Sequence, residues 1–118
     1  MSAMTPKEIR LSQDKRTLTV RFDDEHSHEL TAELLRVESP SAEVQGHDPS
    51  QKRIVPGKKD VSIVGIEPVG NYAVRLVFDD GHDTGIYSWQ TFNDLIVNAE
   101  VLMAAYLDAL AEKGLSRT

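Results

Sequence analysis

The sequence predicts an α+β fold built from two strand–turn–strand–helix repeats, which form a mostly antiparallel sheet with two or three helices. Three observations support this prediction. The segment Phe22-Asp23-Asp24-Glu25-His26 recurs as Phe78-Asp79-Asp80-Gly81-His82. Apolar residues alternate with polar ones before both copies, which indicates half-buried strands. A stretch with helical periodicity follows each copy.

The first repeat contains three predicted strands and one helix. Residues 8–11 and 17–22 alternate between polar and apolar side chains, and residues 27–30 form a short return strand after the acidic turn. Thr31 is suited to cap a helix over about 32–37, because its hydroxyl can accept a hydrogen bond from a free backbone N–H.

The second repeat follows the same order. Its predicted strands cover residues 61–66, 73–78 and 82–87. The Asp80-Gly81 pair before the last strand favours a tight turn.

Two helices are predicted after these strands. Ser88 is suited to cap one over about 89–97, and Asn98 to cap another over about 99–113. Gly114 is suited to end the second helix, because glycine readily adopts the left-handed conformation found after helices.

Between the repeats, residues 38–60 follow neither a helical nor a strand period. The prolines and glycines of this segment are Pro40, Gly46, Pro49, Pro56 and Gly57. An irregular segment of this length in a small domain is either a functional loop or partly disordered. We therefore predict a single domain over residues 7–113 with this segment as its irregular loop, a flexible tail at 1–6 and a second tail at 114–118.

Composition narrows the function classes. The chain has 118 residues, a net charge of −6 and no cysteine. Its acidity disfavours nucleic-acid binding, because phosphate contacts need a basic face. It contains no apolar stretch near the ~20 residues of a membrane span and no signal-peptide core. We expect a cytoplasmic protein that binds neither nucleic acid nor membrane.

Three strings carry a resemblance to a known family. They are residues 35–47 (Leu-Arg-Val-Glu-Ser-Pro-Ser-Ala-Glu-Val-Gln-Gly-His), residues 65–73 and residues 78–87. Over about residues 5–95 the chain resembles a bacterial family of unknown function that is similar to the N-terminal domain of gamma-butyrobetaine hydroxylase. Similar domains are appended to ATPase-type iron–sulfur cluster carriers, so the resemblance implies an accessory module.

The resemblance also implies a zinc site that this chain has lost. In the hydroxylase domain a Cys-x-Cys-x-x-Cys cluster and a histidine bind structural zinc. The cysteine positions fall here on Ser39, Ser41 and Val44, and the histidine falls on His82. Structural zinc needs about four thiolate or imidazole ligands, which two hydroxyls and a valine do not supply. We expect no cofactor.

The oxygenase chemistry of the hydroxylase is not expected either. Non-haem iron oxygenases use two histidines and a carboxylate, commonly with Asp or Glu two positions after the first histidine. None of the four histidines, which are His26, His28, His47 and His82, has an acidic residue at that position. The paired aspartates are interpreted as turn residues, and no catalytic constellation is recognisable.

The candidate binding residues lie in and beside the irregular segment. A basic cluster of Lys52, Arg53, Lys58 and Lys59 suits a phosphate, a carboxylate ligand or an acidic partner, although a solvated loop has the same composition. The predicted binding surface adds Arg36, Glu43, Gln45 and His47 to this cluster and is flanked by His82.

Two functional hypotheses follow. The first is a non-catalytic accessory or interaction module with a protein partner, linked to iron–sulfur or other metal-handling assemblies. The alternative is an iron- or zinc-binding protein in which His82 combines with His26, His28 or carboxylates such as Asp24 and Asp83. Repetition of the two hairpins would bring these histidines together if the hairpins were neighbours.

Overall fold

The computed structural model describes residues 5–22, 26–46 and 48–118. Over these ranges the chain forms two three-stranded antiparallel sheets, three α-helices and one 3-10 turn. The predicted α+β class is confirmed, and the strands are divided between two sheets rather than joined in one.

The first sheet and its helix match the predicted repeat. Its strands, in spatial order, are β1 (Glu8–Leu11), β2 (Thr17–Arg21) and β3 (Ser27–Thr31). Leu18 and Val20 are fully buried on one face of β2. Helix α1 (Ala32–Val37) follows at once, and the Leu34 N–H donates to Thr31 Oγ1 at 3.1 Å. The predicted cap and helix are therefore both confirmed.

The second sheet repeats this order with a different last strand. Its strands are β4 (Ile63–Val69), β5 (Ala73–Phe78) and β6 (Ile86–Ser88). The strand predicted over 82–87 forms only at its end. The Phe78 N–H donates to the His82 carbonyl at 3.0 Å, but the Leu76 N–H donates to the Gly85 carbonyl at 3.3 Å. One extra residue therefore lies between these two bonds and interrupts the strand.

This extra residue exchanges the two faces of the returning strand. Leu18 lies opposite Leu30 in the first sheet, whereas Val74, its equivalent in the repeat, lies opposite Tyr87. Because side chains alternate along a strand, a shift of one residue turns each side chain to the other face. Tyr87 is fully buried, and Ile86 is 46% exposed.

The chain ends in one long helix, α3 (Trp89–Glu112). The predicted break at Asn98 is wrong: its Nδ2 donates to the Asp94 carbonyl one turn back at 2.9 Å, and the good helix formers Ala99 and Glu100 follow it. Gly114 follows the helix with a φ of 66°, as predicted. No helix in the described ranges is both long and apolar enough to cross a membrane.

The two sheets meet where β4 begins. The Ile63 N–H donates to the Lys15 carbonyl in the β1–β2 turn at 2.8 Å. The main core joins residues of both sheets with α1 and α3, including Leu18, Leu35, Ile63 and Phe92.

We call residues 38–60 the linking segment. It contains the short helix α2 (Ala42–Gln45) and a 3-10 turn (Pro49–Gln51). Gly46 directly follows α2 with a φ of 70°, and a Cβ at this position would clash with Gln51 Cβ. A side chain at this position would therefore displace the 3-10 turn.

Apolar contacts hold the second half of the linking segment. Ile54 and Val55 pack against a small core cluster formed by Val37, Tyr106 and Leu110. The Tyr106 hydroxyl also donates to the Val55 carbonyl at 2.6 Å. This half of the segment is therefore fixed to α1 and α3.

The C-terminal residues secure the same segment from outside. The N–H groups of Gly57 and Lys59 donate to the carbonyls of Ser116 and Arg117 at 2.9 and 3.0 Å. Arg117 forms a two-bond ion pair with the buried Glu33 carboxylate at 2.6 and 2.9 Å. The predicted tail at 114–118 thus packs on the domain.

Candidate functional site

Three of the predicted residues, Arg36, Glu43 and His82, lie together at the β5–β6 turn, which supplies His82. Arg36 comes from the last turn of α1, and Glu43 comes from α2. Ser39 and Ser41 lie in the short connection between those helices and are buried. The extra residue before β6 lets this turn lie against the connection.

His82 is held by a hydrogen-bonded chain. Its side chain is 3% exposed, with Nδ1 3.2 Å from Glu43 Oε2 and Nε2 2.9 Å from Ser39 Oγ. Burial and the nearby Arg36 lower the pKa of His82, so the imidazole is neutral at pH 7. A carboxylate only accepts hydrogen bonds. Nδ1 therefore donates to Glu43, and Nε2 accepts from the Ser39 hydroxyl.

The two serines are bonded into the surrounding backbone. The Ser41 N–H donates to Ser39 Oγ at 3.2 Å, and Gln45 Nε2 donates to the Ser39 carbonyl at 2.8 Å. Ser41 Oγ lies 2.7 Å from Thr84 Oγ1 and accepts from the Glu43 N–H at 3.2 Å. Ser41 thereby caps α2 and ties it to the β5–β6 turn.

Asp80 is the centre of a charged cluster beside His82. Its Oδ2 accepts from Arg36 Nε at 2.8 Å and from Lys58 Nζ at 2.6 Å, and its Oδ1 accepts from the His82 N–H at 3.0 Å. Burial raises the pKa of Asp80, but the three hydrogen bonds outweigh it and hold the pKa well below its usual range. Arg36 Nη1 is buried and has no hydrogen-bond partner among the described residues.

The basic cluster separates into two kinds of residue. Lys52 pairs with Glu38 at 2.7 Å, and Lys58 pairs with Asp80, so both lysines brace the linking segment. Arg53 and Lys59 are exposed and form no ion pair with any residue in the described ranges.

A cleft of about 350 Å³ opens between the linking segment, α2 and the β5–β6 turn. We call it the His82 cleft. Its lining residues are Arg36, Glu43, Val44, Arg53, Ile54, Val55, Pro56 and His82. Gln45 lies behind the serines, Lys59 lies outside the cleft, and His47 lies outside the described residues.

Comparison with known proteins identifies the family. The sequence model of the family described as gamma-butyrobetaine hydroxylase-like, N-terminal, matches residues 9–93. The chain belongs to this family. No match was found among curated proteins.

Solved structures support the assignment. Two NMR solution structures are each 46% identical to this chain and cover 98% of it, with TM-scores of 0.83 and 0.82; the matches cover 91% and 86% of those chains. A crystal structure of a protein with unknown function from the DUF971 family of Acidithiobacillus ferrooxidans is 44% identical. That match has a TM-score of 0.63 and covers 77% of this chain and 91% of the other.

The residues at the family's implied zinc positions meet in space but do not fit the metal. Ser39 and His82 are in direct contact, Ser41 bonds to Ser39, and Val44 lines the same cleft. One imidazole, two hydroxyls and an alkyl group are a poor donor set for structural zinc. In this chain the two hydroxyls form hydrogen bonds to protein groups. These hydrogen bonds connect the α1–α2 connection to the β5–β6 turn, which a zinc ion would connect in the hydroxylase domain.

Ser39, His82 and Glu43 are connected in the order of a serine hydrolase triad, yet the serine is closed off. Ser39 has no exposed surface. Gly85 lies against it, since a Cβ at Gly85 would be 2.6 Å from Ser39 Oγ. A substrate carbonyl has no route to this hydroxyl.

The other histidines lie on the first sheet. His28 is in β3 opposite Val20, and His26 immediately precedes that strand. Among the described residues, no three His, Cys, Asp or Glu side chains are grouped so that they could hold one metal ion.

The sequence prediction missed the apolar wall of the site and the role of Asp80. Val44, Ile54 and Val55 are the branched aliphatic residues of a largely polar segment, and that contrast is the signal that could have identified them. Nothing local in the sequence indicates that Asp80 pairs with Lys58 and Arg36, because these partners are far apart along the chain.

Proposed function

We propose that this chain is a non-catalytic accessory module of the cytoplasm that binds a protein partner through the linking segment. The carrying observation is that the second half of this irregular segment is fixed to the fold and presents Arg53 and Lys59, which form no ion pair within the described ranges. The resemblance to domains appended to iron–sulfur carriers makes metal-handling assemblies the first partners to examine.

Rigidity is the first support for this proposal. The linking segment is anchored to the rest of the fold by the Lys58–Asp80 ion pair, by the Tyr106 bond to Val55 and by the C-terminal residues. Binding groups are commonly placed on loops that a rigid scaffold positions. A surface that is ordered before binding loses less conformational entropy when the partner docks.

Charge is the second support. The chain as a whole carries −6, so exposed cations on one segment stand out against an acidic background. Arg53 and Lys59 are exposed and have no ion-pair partner in the part of the chain that the structure describes, which leaves both available for an acidic surface. Such complementarity raises association rates and selects between partners.

The test is capture of partners from a lysate of the native cell by single charge reversals. Arg53→Glu and Lys59→Glu each change the charge by two units on the proposed surface. Lys113→Glu makes the same change at the end of α3 and is the matched control. We expect the first two to lose most of the captured partner and the control to retain it.

Circular dichroism checks that each variant is folded. If folded Arg53→Glu and Lys59→Glu variants capture the same partners as the wild type, the linking segment is not the binding surface. Reversal of Lys52 or Lys58 is unsuitable for this test, because it would place like charges against Glu38 or Asp80.

A metal-binding role is the second candidate. One observation favours it: His82 and Glu43 place an imidazole and a carboxylate 3.2 Å apart. Further ligands would have to come from a partner or from residues outside the described ranges. Elemental analysis for iron and zinc in the purified chain and in its captured complex distinguishes the two roles.

A further inference from the structure

We propose that the His82 cleft binds the carboxylate of a monoanionic ligand with a short apolar body, either a free aliphatic acid or the end of a polypeptide. The inference rests on the proposed function, because the linking segment forms one wall of the cleft. It deepens that function by naming the chemical group that the surface recognises.

Two arginines line the cleft with unused hydrogen-bonding capacity. Arg36 is largely buried, and its Nη1 has no hydrogen-bond partner within residues 5–22, 26–46 and 48–118. A buried donor without an acceptor is costly, so an entering acceptor would relieve a cost the fold already carries. Arg53 is exposed at the same cleft and has no ion-pair partner among the described residues. Guanidinium groups match carboxylates in geometry and charge.

The charge balance favours a monoanion. Arg36 and Lys58 share the single carboxylate of Asp80. Arg53 adds a third positive charge, and Glu43 adds a second negative charge at the lining of the cleft. These five residues leave one excess positive charge, since His82 is neutral. A carboxylate neutralises it, whereas a dianionic phosphate would exceed it and meet repulsion from Glu43.

The rest of the lining indicates an apolar body. Val44, Ile54, Val55 and Pro56 contribute apolar groups to the lining beside the charged residues. The volume of about 350 Å³ is near the lower end of the range for small-molecule sites, about 300–1,000 Å³. A short aliphatic chain would cover these side chains while its carboxylate faces the arginines.

The test is an NMR titration of the intact chain with sodium butyrate, with uncharged butyramide and inorganic phosphate as comparisons. We expect butyrate to cause saturable shifts of the Val44 and Arg53 amides and of the His82 ring. Butyramide should cause none of these saturable shifts, and phosphate should bind more weakly than butyrate. Equal binding of butyramide, tighter binding of phosphate, or no saturable shift with butyrate would overturn the proposal.

Substitution of Arg53 tests the site without endangering the fold, whereas Arg36 also holds Asp80. Loss of one charge-assisted hydrogen bond predicts that Arg53→Gln weakens butyrate binding by roughly tenfold or more. Lys59→Gln removes the same charge from the same segment outside the cleft and should leave butyrate affinity unchanged. An Arg53→Gln variant with wild-type affinity contradicts the assignment.

A tripeptide with a free C-terminal carboxylate, compared with its amidated form, distinguishes the two sources of the ligand. Binding of butyrate alone assigns a free acid, and binding of the free peptide as well assigns a chain end; both support a carboxylate site. If butyrate does not bind but Lys59→Glu still loses its captured partner, the carboxylate site is rejected and the proposed function is retained. The opposite outcome is also distinguishable. If butyrate binds but Arg53→Glu and Lys59→Glu both capture partners as the wild type does, the proposed function is rejected and the carboxylate site is retained.

Discussion

The two hairpins of the repeat begin alike and return differently. In the first, β3 is five residues long and places Leu30 in the core, opposite Leu18. In the second, an extra residue interrupts the return, and Tyr87 takes the inward place while Ile86 faces out. In the first hairpin β3 is a regular edge strand. In the second hairpin the turn between β5 and β6 carries the candidate site.

The difference shows what one inserted residue provides. The shifted strand places Tyr87 inward, where its hydroxyl donates to the Leu35 carbonyl of α1. It also brings Gly85 against Ser39 and positions His82 beside α2. A repeated unit can thus keep its core pattern while one copy acquires a pocket.

The largest expected difference between the hairpins concerns their phenylalanines. Phe78 is 1% exposed, so Phe78→Ala should lower the free energy of unfolding by about 3–5 kcal/mol. Phe22 is only half-buried at the edge of the core, and Phe22→Ala should cost roughly half as much. Urea denaturation measures both, and equal losses would show that the two hairpins bury their aromatic residues alike.

Gly85 provides a second comparison. An alanine Cβ there would approach Ser39 Oγ to 2.6 Å and Tyr87 Cε1 to 3.0 Å, so Gly85→Ala should destabilise by about 1–3 kcal/mol. The equivalent position in the first hairpin is the exposed Glu29, where alanine should change stability by less than about 0.5 kcal/mol. A Gly85→Ala variant as stable as the wild type would mean that Ser39 has room to move.

His82 should make the second hairpin sensitive to pH. Burial and Arg36 lower its pKa below the ordinary value of 6.5. The unfolded chain therefore binds the proton at a higher pH, and the free energy of unfolding falls as pH decreases from above 6.5 to the lowered pKa. The lowered pKa of Asp80 affects the free energy of unfolding only at lower pH, near and below the ordinary pKa of 3.8.

Denaturation curves across this window measure the effect. His82→Gln should flatten the pH dependence, while His26→Gln, at the equivalent place in the first hairpin, should preserve it. An unchanged slope in the His82 variant would assign the pH dependence to other groups.

The smallest expected effect is that of a chelator. Hydrogen bonds join Ser39, Ser41 and His82, so EDTA should leave the thermal midpoint unchanged. The triple variant Ser39→Cys, Ser41→Cys and Val44→Cys restores a zinc-type donor set, and its midpoint should rise with added zinc. A large fall for the wild type on chelation, reversed by zinc or iron, would show that a metal stabilises the second hairpin.

The sequence predicted a helix or strand well where a cap residue or a full alternating pattern marked it. Thr31 followed by a short apolar helix gave α1 with its observed bounds, and alternation gave β2 and β5. The prediction at Asn98 failed because a residue that can cap a helix also continues one when good helix formers such as Ala99 and Glu100 follow it. The shift before β6 is set by packing of Tyr87 against α1, which no pattern in residues 82–87 reveals.

The site was predictable only in part for a similar reason. Resemblance to the family placed Ser39, Ser41 and Val44 with His82. Nothing in the sequence distinguishes the four residues of the basic cluster, yet Lys52 and Lys58 form ion pairs with Glu38 and Asp80. Such ion pairs depend on which distant segments come together in the fold, and no periodic pattern in the sequence indicates them.

The docking of the chain end has a practical consequence for handling the protein. The carbonyls of Ser116 and Arg117 pair with the outer edge of the linking segment, and Arg117 binds Glu33. A purification tag or a fluorescent fusion attached after Thr118 would emerge beside the surface under test. A negative capture result is therefore interpretable only when no fusion is attached after Thr118.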